Sequence, residues 1–188
     1  MNAEIDLSKV VLETPRLLLR PFEKNDLLDF NAYAKVPDVG EWAGWCHHQN
    51  LQESERVLDL FISEKKTFAL VKKETNQVIG SLGIEKYHCD LPGIYDSLRG
   101  RELGYVLAKS EWGKGYMSEA VARVISFCFE ELDLDFLTCA HFVRNERSKR
   151  VILKAGFRLM GQDVYVTRYG TKEADLYYVL DNPKRLKR

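Results

Sequence analysis

The sequence lacks an excess of charge of either sign, because 28 lysines and arginines balance 28 aspartates and glutamates over 188 residues. A chain without net charge has no general electrostatic attraction to nucleic acid or to anionic lipid. The sequence also lacks any apolar run near the ~20 residues that a membrane helix needs. The longest candidate, residues 124–129, is interrupted by Ser126. We therefore expect neither a nucleic-acid partner nor a membrane partner.

Signal, disulfide and metal features are equally sparse. The first residues carry neither the basic nor the apolar region of a signal peptide, which predicts a cytoplasmic location. The four cysteines, at positions 46, 89, 128 and 139, are widely spaced, so reduced thiols are expected. Cys46-His47-His48 and His88-Cys89 lack the spacing of zinc ligands, so no metal site is expected.

No linker, repeat or shift in composition divides the chain. We predict one domain over residues 1–182 with its core at 12–180, followed by a basic tail at 183–188. Apolar periodicity predicts the order β-α-α-β-β-β-α-β-α-β-β. The predicted strands are 16–20, 67–72, 77–87, 102–108, 136–143, 157–166 and 174–180, and the predicted helices are 26–34, 50–62, 115–132 and 145–155. Two connections are too short for crossovers, so this α/β sheet cannot be wholly parallel.

Several local signals support these elements. Asn50 and Glu53 predict reciprocal capping of the second helix, and Gly156 predicts a left-handed end to the fourth. Gly80 and Gly83 indicate a bulge or a close backbone approach in their strand. The third helix carries the clearest apolar stripe, formed by Met117, Ala120, Val121, Val124, Ile125 and Cys128. Cys128 and Cys139 should therefore be buried and inert, whereas Cys46 and Cys89, in loops, should react with a thiol reagent.

Residues 103–120 combine a strand, a glycine loop and the start of the third helix. Backbone amides at such a helix start favour a phosphate, which glycines allow to approach closely, and Lys114 adds positive charge. The alternative is a tight turn without a ligand. Gly115 follows Lys114 where a P-loop needs Ser or Thr, and Ser118 stands where a dinucleotide motif needs glycine. The pattern therefore predicts phosphate recognition and disfavours a nucleotide-binding protein.

At this point the sequence resembles a known family. The segment Trp-Gly-Lys-Gly-Tyr-Met-Ser-Glu-Ala at 112–120 follows Glu-Leu-Gly-Tyr-Val-Leu at 102–107, and Asn145-x-x-Ser148 and Lys-Ala-Gly-Phe at 154–157 come later. Together they resemble the GNAT superfamily of acetyl-CoA-dependent N-acetyltransferases. Leu-Glu-Thr-Pro-Arg-Leu-Leu-Leu-Arg-Pro at 12–21 and Ala-Gly-Trp at 43–45 are similar to its ribosomal-protein (RimJ/RimL-type) branch. The resemblance covers residues 12–180.

The resemblance implies a single-domain fold with a mixed, mostly antiparallel twisted sheet of about seven strands and about four helices, splayed at the cofactor site. It implies an enzyme that transfers acetyl from acetyl-CoA, without a metal, to a primary amine by direct attack. It assigns the pantetheine arm to the backbone at Tyr105, Val106 and Leu107. It assigns the remaining cofactor contacts to Trp112, Gly113, Lys114, Gly115, Tyr116, Met117, Ser118, Asn145 and Ser148. Trp112 and Met117 depart from the family pattern.

Acetyl transfer needs a base, an oxyanion donor and a proton for the thiolate. Glu102 is the best candidate base, because strand alternation puts it on one face with Gly104 and Val106. The alternative is a solvated Glu102 paired with Arg101. Asp163, His48 or a water-relayed base also remain open. The oxyanion would meet a backbone amide near Val106 or Leu107, and Ser148 or Tyr165 would protonate the thiolate.

The sequence indicates the acceptor less clearly than the acetyl donor. The resemblance implies that Trp42, Trp45 and His48 form an acceptor wall, although aromatic residues there could equally cover core. The acceptor would be a protein N-terminus, such as that of a ribosomal protein, or a small amine, and the balanced charge favours the small amine. A non-catalytic acyl-CoA sensor is the alternative function. Whether the chain forms a homodimer stays open.

Overall fold

Eight strands form one sheet in the order β1-β2-β3-β4-β5-β6-β8-β7 in the computed structural model, which describes residues 1–185. The strands are β1 Leu12–Glu13, β2 Leu17–Pro21, β3 Thr67–Lys72, β4 Gln77–Glu85, β5 Gly100–Leu107, β6 Phe136–Phe142, β7 Arg158–Val166 and β8 Lys172–Asp181. The helices are α1 Leu27–Ala34, α2 Leu51–Glu64, α3 Tyr116–Glu130 and α4 Glu146–Lys154. This confirms the predicted α/β class and element order; the sequence analysis missed only the two-residue β1.

Each face of the sheet has its own core. Helices α3 and α4 cover one face, where Phe68 and Leu82 from the strands meet Val124 and Ile152 from the helices. Helices α1 and α2 cover the other face, where Phe30 and Leu58 belong to a second buried cluster. The α3 stripe is buried as predicted, apart from a half-buried Ile125. The sheet is therefore a central layer between two helix pairs.

The glycines of β4 act as their positions suggested. The register with β3 shifts between Leu70 and Val71, which leaves an extra residue in β4 beside Gly80. A side chain at Gly80 would collide with the carbonyl oxygen of Val106 on β5. The bulge and the close backbone approach are both confirmed, and both lie next to the strand that carries the site.

The helix ends follow local chemistry with one difference. The Asn50 side chain accepts the amide of Glu53 at 2.8 Å, as predicted, but Glu53 Oε2 accepts the amide of Gln49 rather than that of Asn50, also at 2.8 Å. The capping is therefore not reciprocal. Gly156 takes φ 91° after α4, which confirms the left-handed helix end.

The sheet opens between β5 and β6. These strands are parallel and pair only over residues 100–102 of β5 and 136–138 of β6, whereas β5 continues to Leu107. Every other pair in the described sheet is antiparallel. The backbone of residues 103–107 that faces β6 therefore has no strand partner. The gap is the splayed region that the resemblance implied.

Two peripheral features complete the fold. No helix among residues 1–185 is long and apolar enough to cross a membrane. At the carboxyl end, Arg185 is paired with Asp133 at 2.6 Å and with Asp135 at 3.2 Å, so this part of the predicted basic tail is anchored to the domain. The rest of the tail, residues 186–188, lies outside the described residues.

Candidate active site

A cleft of about 670 Å³ lies where β5 and β6 separate. Its walls come from β5, the loop before α3, the first turn of α3, the start of α4 and the loop between α1 and α2. The residues assigned to the cofactor from the sequence that line it are Tyr105, Val106, Leu107, Trp112, Gly113, Gly115, Tyr116, Met117, Ser118, Asn145 and Ser148. The fold thus gathers almost all of them in one place.

The glycine loop presents free amides at one end of this cleft. Gly113 and Gly115 take φ values of 77° and 85°, which L side chains rarely adopt, and no atom lies within 4 Å of where a Cβ would stand on Gly113. Glu119 donates the first helical hydrogen bond, to the Gly115 carbonyl at 3.1 Å. The amides of the preceding residues are left without helical partners, at the positive end of the α3 dipole. This end can hold an anion such as a pyrophosphate.

Arg16 fixes the loop from behind. Its Nη1 donates to the Lys114 carbonyl at 3.0 Å, and its Nε donates to Glu119 Oε2 at 2.7 Å. Glu119 in turn accepts from the Thr14 hydroxyl and the Arg16 amide, and these bonds lower its pKa against the opposing effect of burial. The segment before β2 thereby orients the first turn of α3.

The cationic side chains at this end differ from the expectation. Lys114 does not line the cleft, because its Nζ turns back to Glu111 Oε2 at 3.1 Å. Arg147 and Arg150 of α4 line it instead. The Arg147 guanidinium lies 4.1 Å from the ring centroid of Trp112 and 4.9 Å from that of Trp42.

The sequence analysis missed both arginines, although their spacing carried a signal. Residues three apart on a helix share a face, so Arg147 and Arg150 lie together on α4. The sequence analysis assigned only Asn145 and Ser148 there.

A chain of hydrogen bonds crosses the middle of the cleft. Tyr105 Oη and Ser148 Oγ are 2.9 Å apart, the Ser148 amide donates to Asn145 Oδ1 at 3.1 Å, and Asn145 Nδ2 donates to the Trp42 carbonyl at 3.3 Å. Asn145 thus caps α4 and also ties it to the loop between α1 and α2. Burial raises the pKa of Tyr105 well above its usual value, so its hydroxyl remains protonated. The Ser148 hydroxyl is held at the gap with a proton available beside it.

Glu102 lies at the point where the strands separate. It is half-buried and lines the cleft, and its Oε2 accepts a hydrogen bond from Thr138 Oγ1 at 3.2 Å. Burial raises the pKa of Glu102 to about 7, with the Thr138 bond acting in the opposite direction. The alternative pairing with Arg101 is not found, since Arg101 Nε donates to the Ala3 carbonyl at 2.5 Å. Glu102 is therefore a carboxylate poised to exchange a proton near neutral pH.

Two further carboxylates line the cleft near Glu102. Glu85 is the register partner of Glu102 on β4, and Asp175 stands on β8 opposite Phe142. Burial, followed by the charge of Asp163, raises the pKa of Asp175 to about 6. The sequence analysis missed Glu85 and Asp175, because they join Glu102 only through strand register. Asp163, named there as a fallback base, is not among the cleft-lining residues and is exposed.

Of the residues expected at the acceptor wall, Trp42 lines the cleft. Tyr165, expected to protonate the thiolate, also lines it and packs against Phe142 with ring centroids 5.6 Å apart. Trp45 and His48 do not line it. His48 is only 6% exposed, and its Nδ1 is 2.8 Å from Ser54 Oγ.

Trp45 and His48 pack toward the second core rather than along the cleft. His48 lies between the rings of Phe30 and Trp45, at centroid distances of 5.4 and 5.2 Å, and Trp45 packs on the second core. Burial lowers the pKa of His48. The structure thus corrects the expected substrate contact of this pair, which stabilises the loop from beneath. No group of three or more metal-ligating side chains lies together within residues 1–185.

Comparison with known proteins relates most of the chain to one family. A model of the acetyltransferase (GNAT) domain matches residues 16–158. The uncharacterized N-acetyltransferase YoaA of Bacillus subtilis is 26% identical over 180 residues, which cover 93% of this chain and 98% of the relative.

Solved structures show the same fold. The GNAT-family acetyltransferase from Bacillus anthracis superposes with a TM-score of 0.79 at 22% identity, over 92% of this chain and 99% of that one. The ribosomal-protein-S5-alanine acetyltransferase from Vibrio fischeri superposes with a TM-score of 0.70 at 20% identity, over 93% of this chain and 98% of that one. The similarity therefore extends over nearly the full length of each chain.

Proposed function

Because the chain belongs to the GNAT acetyltransferase family and is therefore an N-acetyltransferase, we propose that it uses acetyl-CoA as donor and acetylates a primary amine by direct attack in the cleft between β5 and β6. The observation that carries this proposal is the position of Glu102, a half-buried carboxylate that lines the cleft at the point where the strands part. A sensor that only bound the donor would gain nothing from a proton acceptor there.

The cleft fits the proposed donor in three ways. The amides ahead of α3, with Arg147 and Arg150 nearby, suit the pyrophosphate and phosphate groups. The open space at Gly113 lets a phosphate approach the backbone. The edge of β5 that faces β6 has no strand partner at residues 103–107. It offers strand-like hydrogen bonds to the amide groups of a pantetheine arm. When bound, acetyl-CoA supplies an acetyl thioester, so a C–N bond to the acceptor forms as the C–S bond breaks.

The residues of the chain then account for the protons. Glu102 takes the proton that the attacking amine must lose, and a carboxylate pKa of about 7 makes it an efficient acceptor at neutral pH. On the opposite side of the gap, Ser148 Oγ donates a hydrogen bond to the departing thiolate and is held by the Tyr105 hydroxyl 2.9 Å away, and the released thiolate takes its proton from water. We place this donor at Ser148 rather than Tyr165, because Tyr165 packs on Phe142. A free backbone amide near Val106 stabilises the oxyanion.

The proposal is tested by following release of free thiol from acetyl-CoA with a panel of amines and short peptides. We expect thiol release that requires both the amine and Glu102, with one N-acetyl product formed for each thiol. A protein that is stabilised by CoA yet releases no thiol with any acceptor would instead be the sensor. A protein that neither binds CoA nor releases thiol contradicts the proposal entirely.

A further inference from the structure

The part of the cleft around Glu102 is acidic on one face of the sheet. Strand alternation puts Glu102, Thr138 and Phe142 on the same side, and register adds Glu85 opposite Glu102 and Asp175 opposite Phe142. Asp163 lies opposite Asp175 on β7, on that same side. Glu85, Glu102 and Asp175 thus come from three different strands and line the cleft, whereas Asp163 is exposed outside it.

Within residues 1–185, neither Glu102 nor Asp175 forms an ion pair with a cationic side chain. Glu85 has Lys66 at 2.8 Å, but the charges that act on Glu102 are those of Asp175 and Glu85, and the charge that acts on Asp175 is that of Asp163. Glu102 Oε1 has no hydrogen-bond partner among residues 1–185, since only its Oε2 meets Thr138. The arginines that line the cleft, Arg147 and Arg150, belong to α4 on the other side of the sheet.

Glu102 and Asp175 are half-buried, and a carboxylate that is partly removed from water without a counter-ion is stabilised by a cationic ligand. Aromatic rings stand beside them, because Phe142 and Tyr165 also line the cleft. Such rings pack on methylene groups and attract a cation to their faces. The site therefore offers a cation two kinds of favourable surface.

We propose that the acceptor is an amine that carries a second cationic group, and that Asp175 binds this second group while Glu102 receives the proton of the reacting amine. The inference rests on the proposed acetyltransferase function. Phe142, the partner of Asp175, is four residues beyond Thr138, the partner of Glu102, so their backbones are separated by roughly 13 Å along β6. Because the charge of Asp175 acts on Glu102 and both residues line the cleft, the acceptor we propose is a short diamine or a peptide with a lysine next to its N-terminus.

The test compares acceptors of equal length that differ in the distal group. Thiol release from acetyl-CoA is measured with cadaverine, pentylamine and an aminovalerate, whose far ends are cationic, neutral and anionic. Two peptides, Ala-Lys-Ala and Ala-Glu-Ala, distinguish a peptide acceptor from a small one. We expect kcat/KM to fall about tenfold or more from cadaverine to pentylamine, as the loss of one charge-assisted contact implies.

The variant Asp175→Asn locates the selectivity. It should raise KM for the dicationic acceptor about tenfold and thereby abolish the preference for cadaverine over pentylamine. The matched control, Glu130→Gln, removes the same charge from the exposed end of α3, far from the cleft, and should change neither value. Thermal stabilisation by cadaverine in the presence of CoA gives a readout that needs no turnover, and Asp175→Asn should abolish it.

The outcomes separate the inference from the proposed function. Equal kcat/KM for cadaverine and pentylamine, or unchanged selectivity in Asp175→Asn, overturns the inference and leaves the acetyltransferase intact. Absence of thiol release with every acceptor contradicts the proposed function instead. In that case stabilisation by cadaverine, lost in Asp175→Asn, still decides whether the cation site exists.

Discussion

Glu102 and Thr138 form the last register pair before β5 and β6 separate, and the Thr138 hydroxyl donates to the Glu102 carboxylate at 3.2 Å. The pair thus lies where regular sheet ends and the cleft begins. Burial on the sheet side raises the pKa of the carboxyl, and the cleft gives its other oxygen access to a ligand. One hydrogen bond therefore connects the fold of the sheet to the protonation state of the proposed base.

Glu102→Gln should lower kcat by roughly 10²–10⁴-fold, because the amine loses its positioned proton acceptor. The wild-type rate should rise through pH 7, where the raised pKa of Glu102 places its ionisation, and then level off. The variant should lack this limb and bind CoA with unchanged affinity. Near-wild-type turnover at every pH would eliminate Glu102 as the base.

Thr138→Val should move that same limb to higher pH. The hydroxyl stabilises the ionised carboxylate and lowers its pKa, so its removal leaves burial less opposed. The measurement is the pH profile of kcat/KM at saturating acetyl-CoA, with Thr67→Val, a buried threonine of β3, as a control for the loss of a hydroxyl. An unshifted limb would show that the limb reports the acceptor amine instead.

Glu102→Gln should also stabilise the fold above neutral pH. The pKa of Glu102 is higher in the folded state than its usual value of 4.5, so the wild-type protein loses stability as pH rises from about 4.5 to about 7. At pH 8 this loss amounts to about 3 kcal/mol relative to pH 4. Urea unfolding at both pH values should show the stability difference between variant and wild type growing at high pH. A constant difference would contradict the raised pKa.

Acetyl-CoA or CoA at a hundred times its dissociation constant should stabilise the protein by about 2.7 kcal/mol. Gly115→Asp should remove that gain, since it places a negative charge at the amides ahead of α3. Gly170→Asp is the matched control, because Gly170 has the same φ of 85° in the turn between β7 and β8, away from the cleft. Equal ligand shifts in the two variants would show that the glycine loop does not bind the donor.

A thiol reagent should label Cys46 faster than the other three cysteines. Cys128 and Cys139 are buried, as their apolar positions predicted, and Cys46 is exposed. Cys89 was expected to react, but burial and then the charge of Glu102 raise its pKa to about 12, which leaves almost no thiolate. Alkylation at pH 8 followed by mass spectrometry should therefore modify Cys46 first, and Cys46→Ser should abolish the fast phase. Fast labelling of Cys89 would disprove this ordering.

Features that depend on local residue spacing were predicted from the sequence. Features that depend on strand register were missed. The α3 stripe and the glycine loop follow from spacing alone, and the structure places them as expected. The Lys114 side chain was misplaced, because a flexible ammonium three residues from Glu111 takes the nearer partner. His48 was predicted at the acceptor wall, but it is buried in the core beneath α1 and α2, next to Phe30.

Glu85 and Asp175 could not be found from sequence spacing. They lie near Glu102 only because β4 pairs with β5 and β8 pairs with β6. Pairing of this kind is fixed by the tertiary fold rather than by neighbours along the chain. A carboxylate at a strand position is therefore informative only after the strand order is known.

The short parallel junction also has a consequence for how the chain folds. Strands β1 to β5 pair with their neighbours in sequence, and β6, β7 and β8 form a second antiparallel group. Among residues 1–185, strand pairing between the two groups is limited to residues 100–102 and 136–138, across a crossover that contains α3. Contacts between sequence neighbours form quickly, whereas closure over a long crossover is entropically slow. We therefore expect two locally formed sheets that dock late, with the last folding step assembling the site itself.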